Sequence, residues 1–532
     1  MHEYFLHRGI VLESVLQRGV APEASVRETV CEVFEKAVRH HGANPLIIFD
    51  DGSSLSYSDA GALAADIAGR LQGVGVGKGD RVLSVSAASA EAALVFWACM
   101  LIGAVFIPVD GRIQPDKLSK VFKSTAPKIV FTGHGWAGAF SGVKVVSYSA
   151  ESGVAHGSRF HEFLDESGSD YRPEPVSPAD DAVVLFTSGT SGEPNGIVLS
   201  HGALSGSARL MAETYQWGPE DRVFSIGDFH TMSGLRNTCV ATFYPGASFI
   251  IAPQDLRASG PACSVLMERL GATILCAVPA FLAQFTRFQE KISGGFAKSL
   301  RFVMCTGTLL TPSIVESFEE RYKRRVLNYY GLTETSGLCI GVIPGMKREY
   351  PGSIGVPLGC SVMIAGPDGR EAAPGAAGEL FIRTENIMSG YYNDPSLTEK
   401  AIVGGWFRTK DFCRQEPDGS IELLGRVDDA FKDLRGELVH PSEIESVLEA
   451  SPLALEAAVC GFEAEDGRPA SAAFVVASEN GVDEKGLASE LRRQAFAALG
   501  PYRTPAIFMV VDSLPRGTNG KILRRKLRET LP

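Results

Sequence analysis

Apolar residues follow two periodicities along this chain, one typical of helices and one typical of buried strands, and the two alternate through the first four hundred residues. Residues 26–41 carry apolar positions at helical spacing, and Ser58 is placed to cap a second helix that runs to about Leu71 and stops at Gly73. Residues 80–86 then have the pattern of a strand, followed by a helix from Ala90. Further buried strands are predicted at residues 128–131, 249–252, 273–278 and 301–305. This alternation predicts an α/β fold with mostly parallel sheets covered by helices.

The longest apolar run, residues 92–109, has the length at which a membrane span must be considered. It contains Gly103 and Pro108, however, and passes from an Ala- and Leu-rich half into Val-Phe-Ile-Pro-Val. We therefore predict a buried helix followed by a buried strand, with no integral membrane segment.

A different pattern begins near residue 426. A helix at residues 441–449, strands at 457–461 and 470–476, a helix at 484–499, a strand at 506–511 and a basic terminal helix form a small α+β unit. The boundary before it is polar and charged and has no long linker, which is typical of a hinge. The predicted organisation is a large multi-layer N-terminal domain over residues 1–425, a hinge at 426–429 and a mobile C-terminal domain over 430–532.

Composition narrows the class of protein. The chain of 532 residues is 45% hydrophobic and 21% charged, which is typical of a soluble globular protein with more than one domain. Its formal net charge of −11 argues against nucleic acid as a main partner. The first residues lack the pattern of a signal peptide, so we expect a cytoplasmic protein. The 10 cysteines include no Cys-x-x-Cys pair, and most of the following are expected to be reduced core thiols rather than zinc ligands or disulfides: Cys31, Cys99, Cys239, Cys276, Cys305 and Cys339.

The segment from Leu185 to Ile197 carries the strongest chemical signal. It reads Leu-Phe-Thr-Ser-Gly-Thr-Ser-Gly-Glu-Pro-Asn-Gly-Ile, an apolar strand that feeds a loop of hydroxyl residues and glycines. Such a loop exposes backbone N–H and side-chain O–H groups in one concave turn, which suits a polyphosphate. It lacks the Gly-x-x-x-x-Gly-Lys pattern of the common P-loop. The alternative is a flexible Gly/Ser loop without a ligand.

Four further motifs lie downstream. They are residues 328–335 with Thr333 and Glu334, residues 404–411 ending in Asp411, residues 425–429, and residues 515–521 ending in Lys521. A Thr-Glu pair places a hydroxyl and a carboxylate beside a ligand, and a carboxylate suits Mg²⁺. Each also has a structural alternative: the Thr-Glu pair as a helix cap, Asp411 as a surface turn residue, and Lys521 as one member of a solvated basic helix face.

In this order the motifs resemble the adenylate-forming superfamily, which comprises acyl-CoA synthetases, nonribosomal-peptide adenylation domains and beetle luciferases. The resemblance extends from about Val26 to the C-terminus, and residues 305–310, 378–383 and 390–395 add smaller matches. It implies a reaction in two steps. A carboxylate attacks the α-phosphate of ATP to give an acyl-adenylate and pyrophosphate, and a thiol then takes the acyl group while AMP leaves.

The resemblance also implies a role for each matching position. The β- and γ-phosphates are held by the loop residues Thr187, Ser188, Gly189, Thr190, Ser191 and Gly192, and the rest of the ATP site comprises Gly307, Thr308, Tyr330, Gly331, Asp411 and Arg426, of which the last two hold the ribose. Thr333 and Glu334 meet the α-phosphate and Mg²⁺, and Lys521 bridges the ribose and the reacting oxygens. Asp428 is the hinge residue, and Lys432 and Gly436 belong to the thiol channel that replaces Lys521 in the second step.

The acid pocket is placed by the same resemblance. Its neighbourhood comprises Phe229, Ser233, Gly234, Ala277, Val278 and Thr306, together with Gly307 and Tyr330, and His230 is expected to be catalytic. The pair Phe229-His230 is more similar to acyl- or aryl-CoA ligases than to peptide-synthetase domains. Asp228 keeps an amine-bearing substrate open, with a turn residue as the alternative. Arg236 either pairs a second carboxylate or faces solvent, and we favour solvent.

Three positions depart from the family pattern. Asn195 stands where the phosphate loop usually has lysine, and loss of that cation removes a charge-assisted contact worth roughly 1.5–3 kcal/mol. Lys410 stands where the family has glycine before the ribose aspartate, and it is either harmless or a replacement cation. Residues 432–436 are one residue longer than the common spacing, so the thiol step is less well supported than adenylation.

The sequence predicts an ATP-dependent ligase that joins a fatty or aryl carboxylic acid to a thiol, with ATP, Mg²⁺ and CoA, or the phosphopantetheine thiol of a separate carrier protein. One alternative is a stand-alone adenylation enzyme that loads an acyl or amino acid onto a carrier protein. A second alternative, from another class, is a degenerate adenylate-binding protein without turnover.

Overall fold

The computed structural model describes residues 27–133, 136, 138–148, 159–165, 170–188, 194–347, 352–366, 368–464, 466–478, 483–516 and 522–531. Its helices are α1 Val30–His41, α2 Tyr57–Gly73, α3 Ala90–Leu101, α4 Pro115–Thr125, α5 Arg159–Asp165, α6 His201–Thr214, α7 Met232–Cys239, α8 Gln254–Ala258, α9 Gly260–Leu270, α10 Pro279–Arg287, α11 Pro312–Tyr322, α12 Pro395–Ala401, α13 Pro441–Glu449, α14 Glu484–Leu499 and α15 Arg524–Arg528.

The strands are β1 Pro45–Ile48, β2 Ser54–Ser56, β3 Arg81–Val85, β4 Val105–Val109, β5 Ile129–Thr132, β6 Lys144–Ser147, β7 Asp181–Ser188, β8 Pro194–Ser200, β9 Arg222–Ser225, β10 Ser248–Ile250, β11 Ile274–Ala277, β12 Phe302–Cys305, β13 Arg325–Tyr330, β14 Ile340–Gly341, β15 Ser353–Pro357, β16 Cys360–Ala365, β17 Ala377–Thr384, β18 Gly390–Tyr391, β19 Ile402–Val403, β20 Trp406–Gln415, β21 Ile421–Arg426, β22 Phe431–Lys432, β23 Leu438–Val439, β24 Ala454–Glu463, β25 Pro469–Ala477 and β26 Ile507–Val510.

The largest sheet has 14 strands, in the order β16-β17-β20-β21-β15-β14-β13-β12-β11-β9-β10-β1-β2, with β19 beside β20. The ladder from β13 through β12, β11, β9 and β10 to β1 is parallel. From β13 outwards to β16 the pairs are antiparallel. Because the carboxyl ends of parallel strands meet at one edge, loops that follow β9, β11, β12 and β13 are brought together there.

A second sheet has seven strands in the order β18-β8-β7-β4-β3-β5-β6. Its centre is parallel, whereas the hairpin β7–β8 and the short strand β18 are antiparallel. The predicted α/β class is confirmed, but the prediction of mostly parallel sheets is wrong: both large sheets are mixed, because hairpins and short connections add antiparallel strands beside the parallel β/α units.

The apolar run at residues 92–109 forms α3 and β4, as predicted, and every residue of α3 is buried. Trp97 stacks on Phe34 with 5.2 Å between ring centroids, and its Nε1 donates to the Cys239 carbonyl at 3.0 Å. This helix lies in the core between the sheets. No helix of the described residues combines the length and apolar character needed to cross a bilayer.

The predicted helix cap at Ser58 is wrong. The side chain of Ser56 accepts from the Asp59 backbone N–H, so α2 begins at Tyr57. At the first helix, Val26 lies outside the described residues, and α1 begins after Thr29, which forms a capping box with Glu32. In both cases the observed start of the helix lies a few residues from the predicted start. The spacing of apolar residues does not show which residue caps a helix.

The C-terminal elements follow the prediction closely, since α13 and α14 have the predicted bounds. Strands β24, β25 and β26 form a three-stranded sheet. One apolar cluster, which includes Ile444, Val459 and Leu491, gives this part of the chain a core of its own. The domain boundary at residues 426–429 stays a prediction.

Candidate active site

Several residues of the predicted acid pocket lie at the carboxyl edge of the parallel ladder. Ala277, at the end of β11, lies opposite Cys305 at the end of β12. The Thr306 backbone N–H donates to the Ala277 carbonyl at 3.1 Å, so the loop that contains Thr306, Gly307 and Thr308 is tied to the end of β11. Val278 follows as the cap of α10. Sequence-distant residues of the predicted pocket are thus neighbours.

The loop between β9 and α7 forms another wall of this edge. Phe229 is buried, and the helix cap at Thr231 places Ser233 in the first turn of α7. A Cβ at Gly234 would lie 2.2 Å from the Asp228 carbonyl, so only glycine fits there.

His230 lies in the same loop with its side chain 10% exposed. Its Nε2 is 3.8 Å from Asp110 Oδ2, and burial lowers the pKa of the imidazole despite the nearby carboxylates. Within the described part of the chain neither ring nitrogen has a hydrogen-bond partner. Sequence reasoning missed Asp110, although its place directly after the buried strand β4 is a signal that a polar residue lies at a sheet edge.

The buried Asp228 carboxylate ties this loop to other parts of the chain through hydrogen bonds. Its carboxylate accepts from Arg257 Nη2 at 2.6 Å, Gln254 Nε2 at 2.9 Å and the Ala88 backbone N–H at 3.0 Å. Each carboxylate oxygen therefore has a donor from the protein itself, and Asp228 also opens a turn, since its carbonyl accepts from the Thr231 backbone N–H at 2.9 Å. The turn-residue alternative thus fits the structure, and an amine-bearing substrate at Asp228 stays a prediction.

Arg236 contradicts both expectations for it. It is completely buried on α7, so it does not face solvent, and as it stands it is closed to a substrate carboxylate. Its guanidinium donates to Asn237 Oδ1, to Ser207 Oγ at 3.0 Å and to the Ser336 carbonyl at 3.1 Å. Burial lowers its pKa, and it binds α6, α7 and the turn after Glu334 to one another.

Three of the predicted nucleotide residues form one cluster. Asp411, in β20 and 5% exposed, accepts from the Tyr330 hydroxyl at 2.6 Å and from Arg426 Nη1 at 2.9 Å. Asp411 and Arg426 are directly paired in the ladder β20–β21. The pKa of Arg426 is raised above its ordinary value. Burial by itself would lower this pKa, but the negative charge of Asp411 outweighs the effect of burial. Asp411 is thus a buried, oriented carboxylate and not a surface turn residue.

Thr333 and Glu334 form a short 3₁₀ turn after β13. Gly331 precedes it, and a Cβ there would lie 1.0 Å from the Gly337 carbonyl oxygen, so the turn requires glycine. The half-buried Glu334 accepts the Tyr391 hydroxyl at Oε1, 3.1 Å away. The role of Tyr391 was missed, although it falls in a segment that matches the family pattern.

Tyr391 also ties Glu334 to the phosphate-loop hairpin. It lies opposite Ile197 in the pair β18–β8, and β8 in turn places Asn195 opposite Thr187 of β7. Gly196 has no room for a side chain, since a Cβ would lie 2.9 Å from Tyr392 Cβ. Ser188 ends β7; the loop residues Gly189, Thr190, Ser191 and Gly192 lie outside the described residues.

The predicted hinge residue Asp428 lies in a 3₁₀ turn directly after β21. Its Oδ2 is 3.5 Å from Lys410 Nζ, so Lys410 pairs with the hinge. Lys432 and Gly436 lie in the small hairpin β22–β23 that follows, where both are exposed. Lys521 lies outside the described residues.

Comparison with known proteins agrees with this geometry. The family described as AMP-binding enzyme matches residues 34–392, and the family described as AMP-binding enzyme C-terminal domain matches residues 443–521. Fold and site define an adenylate-forming enzyme, and the chain belongs to the AMP-binding enzyme family. The predicted membership is confirmed, and the chain is an acid–thiol ligase.

Individual relatives span nearly all of the chain. Indoleacetate–CoA ligase of Aromatoleum aromaticum is 28% identical over 94% of this chain and 98% of its own. Fatty acid–[acyl-carrier-protein] ligase ScoC of Streptomyces coeruleorubidus is also 28% identical, over 94% and 96%. The ATP-bound crystal structure of MatB from Rhodopseudomonas palustris, at 25% identity, superposes with a TM-score of 0.85 over 94% of this chain and 99% of that one.

Proposed function

We propose that this ligase activates a fatty or aryl carboxylic acid as acyl-AMP with release of pyrophosphate, and then transfers the acyl group to the thiol of CoA. The observation that carries the proposal is the buried Asp411, oriented by Tyr330 and Arg426 beside the edge where the pocket loops converge. A fixed acceptor of this kind suits the two ribose hydroxyls of a nucleotide. The named activities of the two curated relatives support an aryl or fatty acid.

The chemistry requires two anions, the carboxylate and ATP, to approach each other. Catalysis is therefore mainly positioning and neutralisation of charge. In this proposal Thr187 and the loop after it hold the β- and γ-phosphates, and Thr333 contacts the α-phosphate. Lys521 bridges the ribose and the reacting oxygens.

Mg²⁺ fits at Glu334. This carboxylate is half-buried and has one oxygen bonded to the Tyr391 hydroxyl, which leaves acceptor capacity for a hard cation. Among the described residues no group of three or more His, Cys, Asp or Glu side chains is arranged to hold a metal, so ATP phosphates and water would supply the other ligands. The ion would supply charge neutralisation at the phosphates.

The acid is proposed to lie between the loop of Phe229 and His230 and the strand ends at Ala277 and Thr306. In this proposal the buried Phe229 and Ala277 would give the pocket an apolar wall, and His230, whose side chain is 10% exposed, would lie beside the incoming carboxylate. Its lowered pKa keeps the imidazole neutral at pH 7, so it orients the acid as a hydrogen-bond donor without adding a charge.

The second step is proposed to follow rotation at Asp428, which would remove Lys521 from the site and bring Lys432 and Gly436 to the thiol channel. A carrier-protein thiol is the second candidate acceptor, because ScoC, whose name specifies a carrier protein, matches nearly the whole chain.

The test is pyrophosphate release with hydroxylamine trapping across fatty, aryl and amino acids, with and without CoA. Release with an aryl or fatty acid that CoA accelerates supports the proposal. Release that CoA never accelerates favours the carrier protein. If no acid gives pyrophosphate release under Mg²⁺-ATP, the result would favour the alternative of a degenerate adenylate-binding protein without turnover.

The variant Lys521→Ala tests whether Lys521 acts in adenylation and not in acyl transfer. We expect it to reduce acid-dependent pyrophosphate release by about a hundredfold or more, because a positioned cation at the reacting oxygens is lost. Transfer from a supplied acyl-adenylate to CoA should stay near the wild-type rate, and Lys526→Ala, on the exposed face of α15, is the control for loss of a C-terminal cation. Equal loss of both steps contradicts the proposed exchange of domains.

A further inference from the structure

Arg524 joins the predicted hinge to the C-terminal segment. It begins α15 and lies three residues after Lys521 in the chain. Its Nη1 donates to Asp429 Oδ2 at 3.3 Å, in the 3₁₀ turn that also contains Asp428. Its Nη2 donates to both carboxylate oxygens of Glu445, at 2.6 and 2.9 Å. We call Asp429, Glu445 and Arg524 the hinge link.

The hinge link is part of the packed core of the C-terminal segment. Glu445 lies on α13 with 6% of its surface exposed, and its Oε1 also accepts the Val459 backbone N–H at 2.7 Å. Arg524 Nε donates to the Val459 carbonyl at 3.3 Å, so the guanidinium contacts α13 and β24 together. Burial by itself would lower the pKa of Arg524, but the charges of Glu445 and Asp429 raise it above its ordinary value. Asp429 is therefore attached to the C-terminal core through a charged donor that its other bonds orient.

The segment before α15 has both of its ends fixed to the same core. Arg516 and Ile522 form an antiparallel bridge. Beside this bridge, the Leu523 backbone N–H donates to the Pro515 carbonyl at 2.8 Å. On the near side, Arg516 Nη2 donates to Glu456 Oε1 of β24 at 2.8 Å. The chain is thus anchored on both sides of the segment.

Covalent geometry extends this anchoring to Lys521. Lys521 directly precedes Ile522 and is three residues from Arg524, and three residues of extended chain span at most about 11 Å. Wherever Arg524 is held, the α-carbon of Lys521 must lie within that distance. The hinge link therefore limits the position of Lys521 relative to Asp429.

The two neighbouring aspartates of the hinge turn contact opposite sides of the molecule. Asp429 contacts the C-terminal segment through Arg524, whereas Asp428 Oδ2 lies 3.5 Å from Lys410 Nζ on β20. In a rotation of the C-terminal segment, the boundary between the stationary and the moving parts therefore falls between Asp428 and Asp429.

We propose that Arg524 and Asp429 are positioning residues for Lys521. The hinge link makes the turn at Asp429 and the segment that carries Lys521 one rigid body, so that rotation at Asp428 brings Lys521 to a defined position. All three residues of the link lie on the C-terminal side of the boundary, so the link stays intact in both steps, whatever occupies the nucleotide site. The inference rests on the proposed function for the role of Lys521, whereas the rigid connection itself can be measured without turnover.

Asp429→Ala removes the hinge contact and leaves the pair of Arg524 with Glu445. We expect the kcat of acid-dependent pyrophosphate release to fall about threefold to fivefold, which corresponds to the loss of an ion pair worth about 1 kcal/mol. The Km values for ATP and for the acid should be unchanged, because the residues proposed to bind both precede the hinge turn. Asp429→Glu, which retains the carboxylate, should recover part of the loss.

Glu529→Ala is the matched control. Glu529 is the carboxylate partner of Arg525, with Oε1 3.2 Å from Nε, and the two side chains are 60% and 76% exposed. This variant also deletes the carboxylate partner of an arginine of α15, but at a solvated surface pair. It should leave both half-reactions at the wild-type rate.

The Lys521→Ala background distinguishes positioning from general stabilisation. If Asp429 acts through Lys521, Asp429→Ala should cause no further loss of pyrophosphate release once the lysine is absent. A role in stability alone would lower the release in both backgrounds.

Limited trypsin digestion measures the rigid connection without turnover. Lys432 is exposed in β22, three residues after Asp429, and cleavage after it is followed by mass spectrometry. Asp429→Ala should raise the cleavage rate about threefold to fivefold, because the hinge turn opens more often, and Glu529→Ala should leave the rate unchanged.

Wild-type rates of release and cleavage in Asp429→Ala would overturn the hinge link, and so would an equal loss of release in the Lys521→Ala background. If no acid supports pyrophosphate release by the wild-type protein but Asp429→Ala still raises the cleavage rate, the proposed function is overturned and the rigid connection is supported.

Discussion

Asn195 lies on β8 directly opposite Thr187, where the hairpin meets the predicted phosphate loop. The family pattern has lysine here, and the Lys410 side chain, the other candidate cation, lies 3.5 Å from Asp428 Oδ2, measured from its Nζ. The replacement-cation alternative for Lys410 stays a prediction. In this chain the end of the hairpin that leads into the phosphate loop carries a neutral amide.

We predict that Asn195→Lys lowers the Km for ATP about tenfold, because a charge-assisted contact to phosphate contributes roughly 1.5–3 kcal/mol when fully formed. Pyrophosphate release at varied ATP concentration measures it. Asn195→Gln, which is longer but neutral, is the control and should leave the Km near that of wild type. An unchanged Km for the lysine variant would mean that the loop does not bring phosphate to this position.

Arg236 illustrates how far residue chemistry depends on tertiary partners. A cationic side chain in a loop-rich region is usually solvated, which favoured an exposed position. The structure buries it completely and satisfies it with neutral acceptors, one of which, the Ser336 carbonyl, is 100 residues away in sequence. Arg236 thus stabilises the turn that follows Glu334 by donating a hydrogen bond to the Ser336 carbonyl.

Among the elements, α3 is the clearest case in which the sequence pattern predicts the packing. Its twelve residues are all buried, as an uninterrupted apolar helix requires. Trp97 lies at the centre, among Phe34, Phe243 and Phe249, with ring centroids 5.2–6.4 Å away.

We predict that Trp97→Ala lowers the free energy of unfolding by about 3–5 kcal/mol, because it opens a cavity and leaves the Cys239 carbonyl without its indole donor. Urea denaturation followed by circular dichroism provides the measurement. Phe496→Ala is the control, since that ring is 56% exposed and its loss should change stability by less than about 0.5 kcal/mol. Similar losses for the two variants would show that α3 is not a core element.

At the scale of the whole molecule, His201 links stability to pH. It begins α6 and is completely buried, and burial lowers its pKa to about 4. Its place at a helix N-terminus also disfavours a positive charge. The folded protein holds the neutral imidazole, whereas the unfolded chain protonates it near pH 6.5.

The neutral His201 imidazole therefore makes its full contribution to the free energy of unfolding above pH 6.5. This contribution is lost as pH falls from 6.5 toward 4, by roughly 3 kcal/mol in total. Urea unfolding at pH 7.5, 5.5 and 4.5 measures it. The variant His201→Asn should lose less stability over this range than wild type. The exposed His40→Asn variant is expected to follow wild type, and a wild-type slope in His201→Asn would contradict the burial argument.

The sequence by itself determined the class of fold, the sites of most elements and the family of the enzyme. Periodicity and turn residues act between near neighbours, so α3, α13 and α14 could be predicted from local patterns. The family motifs are contiguous strings and carry their resemblance without knowledge of contacts.

Only the tertiary structure decided which side chains meet. Tyr330 and Asp411 are 81 residues apart, and Tyr391 and Glu334 are 57 apart, so no local pattern joins them. The engagement of Asp228 by Arg257 and the pairing of Lys410 with Asp428 likewise depend on how strands and loops pack. A charged side chain takes its role from the partners that the fold brings to it, because burial and proximity set both its energy and its charge.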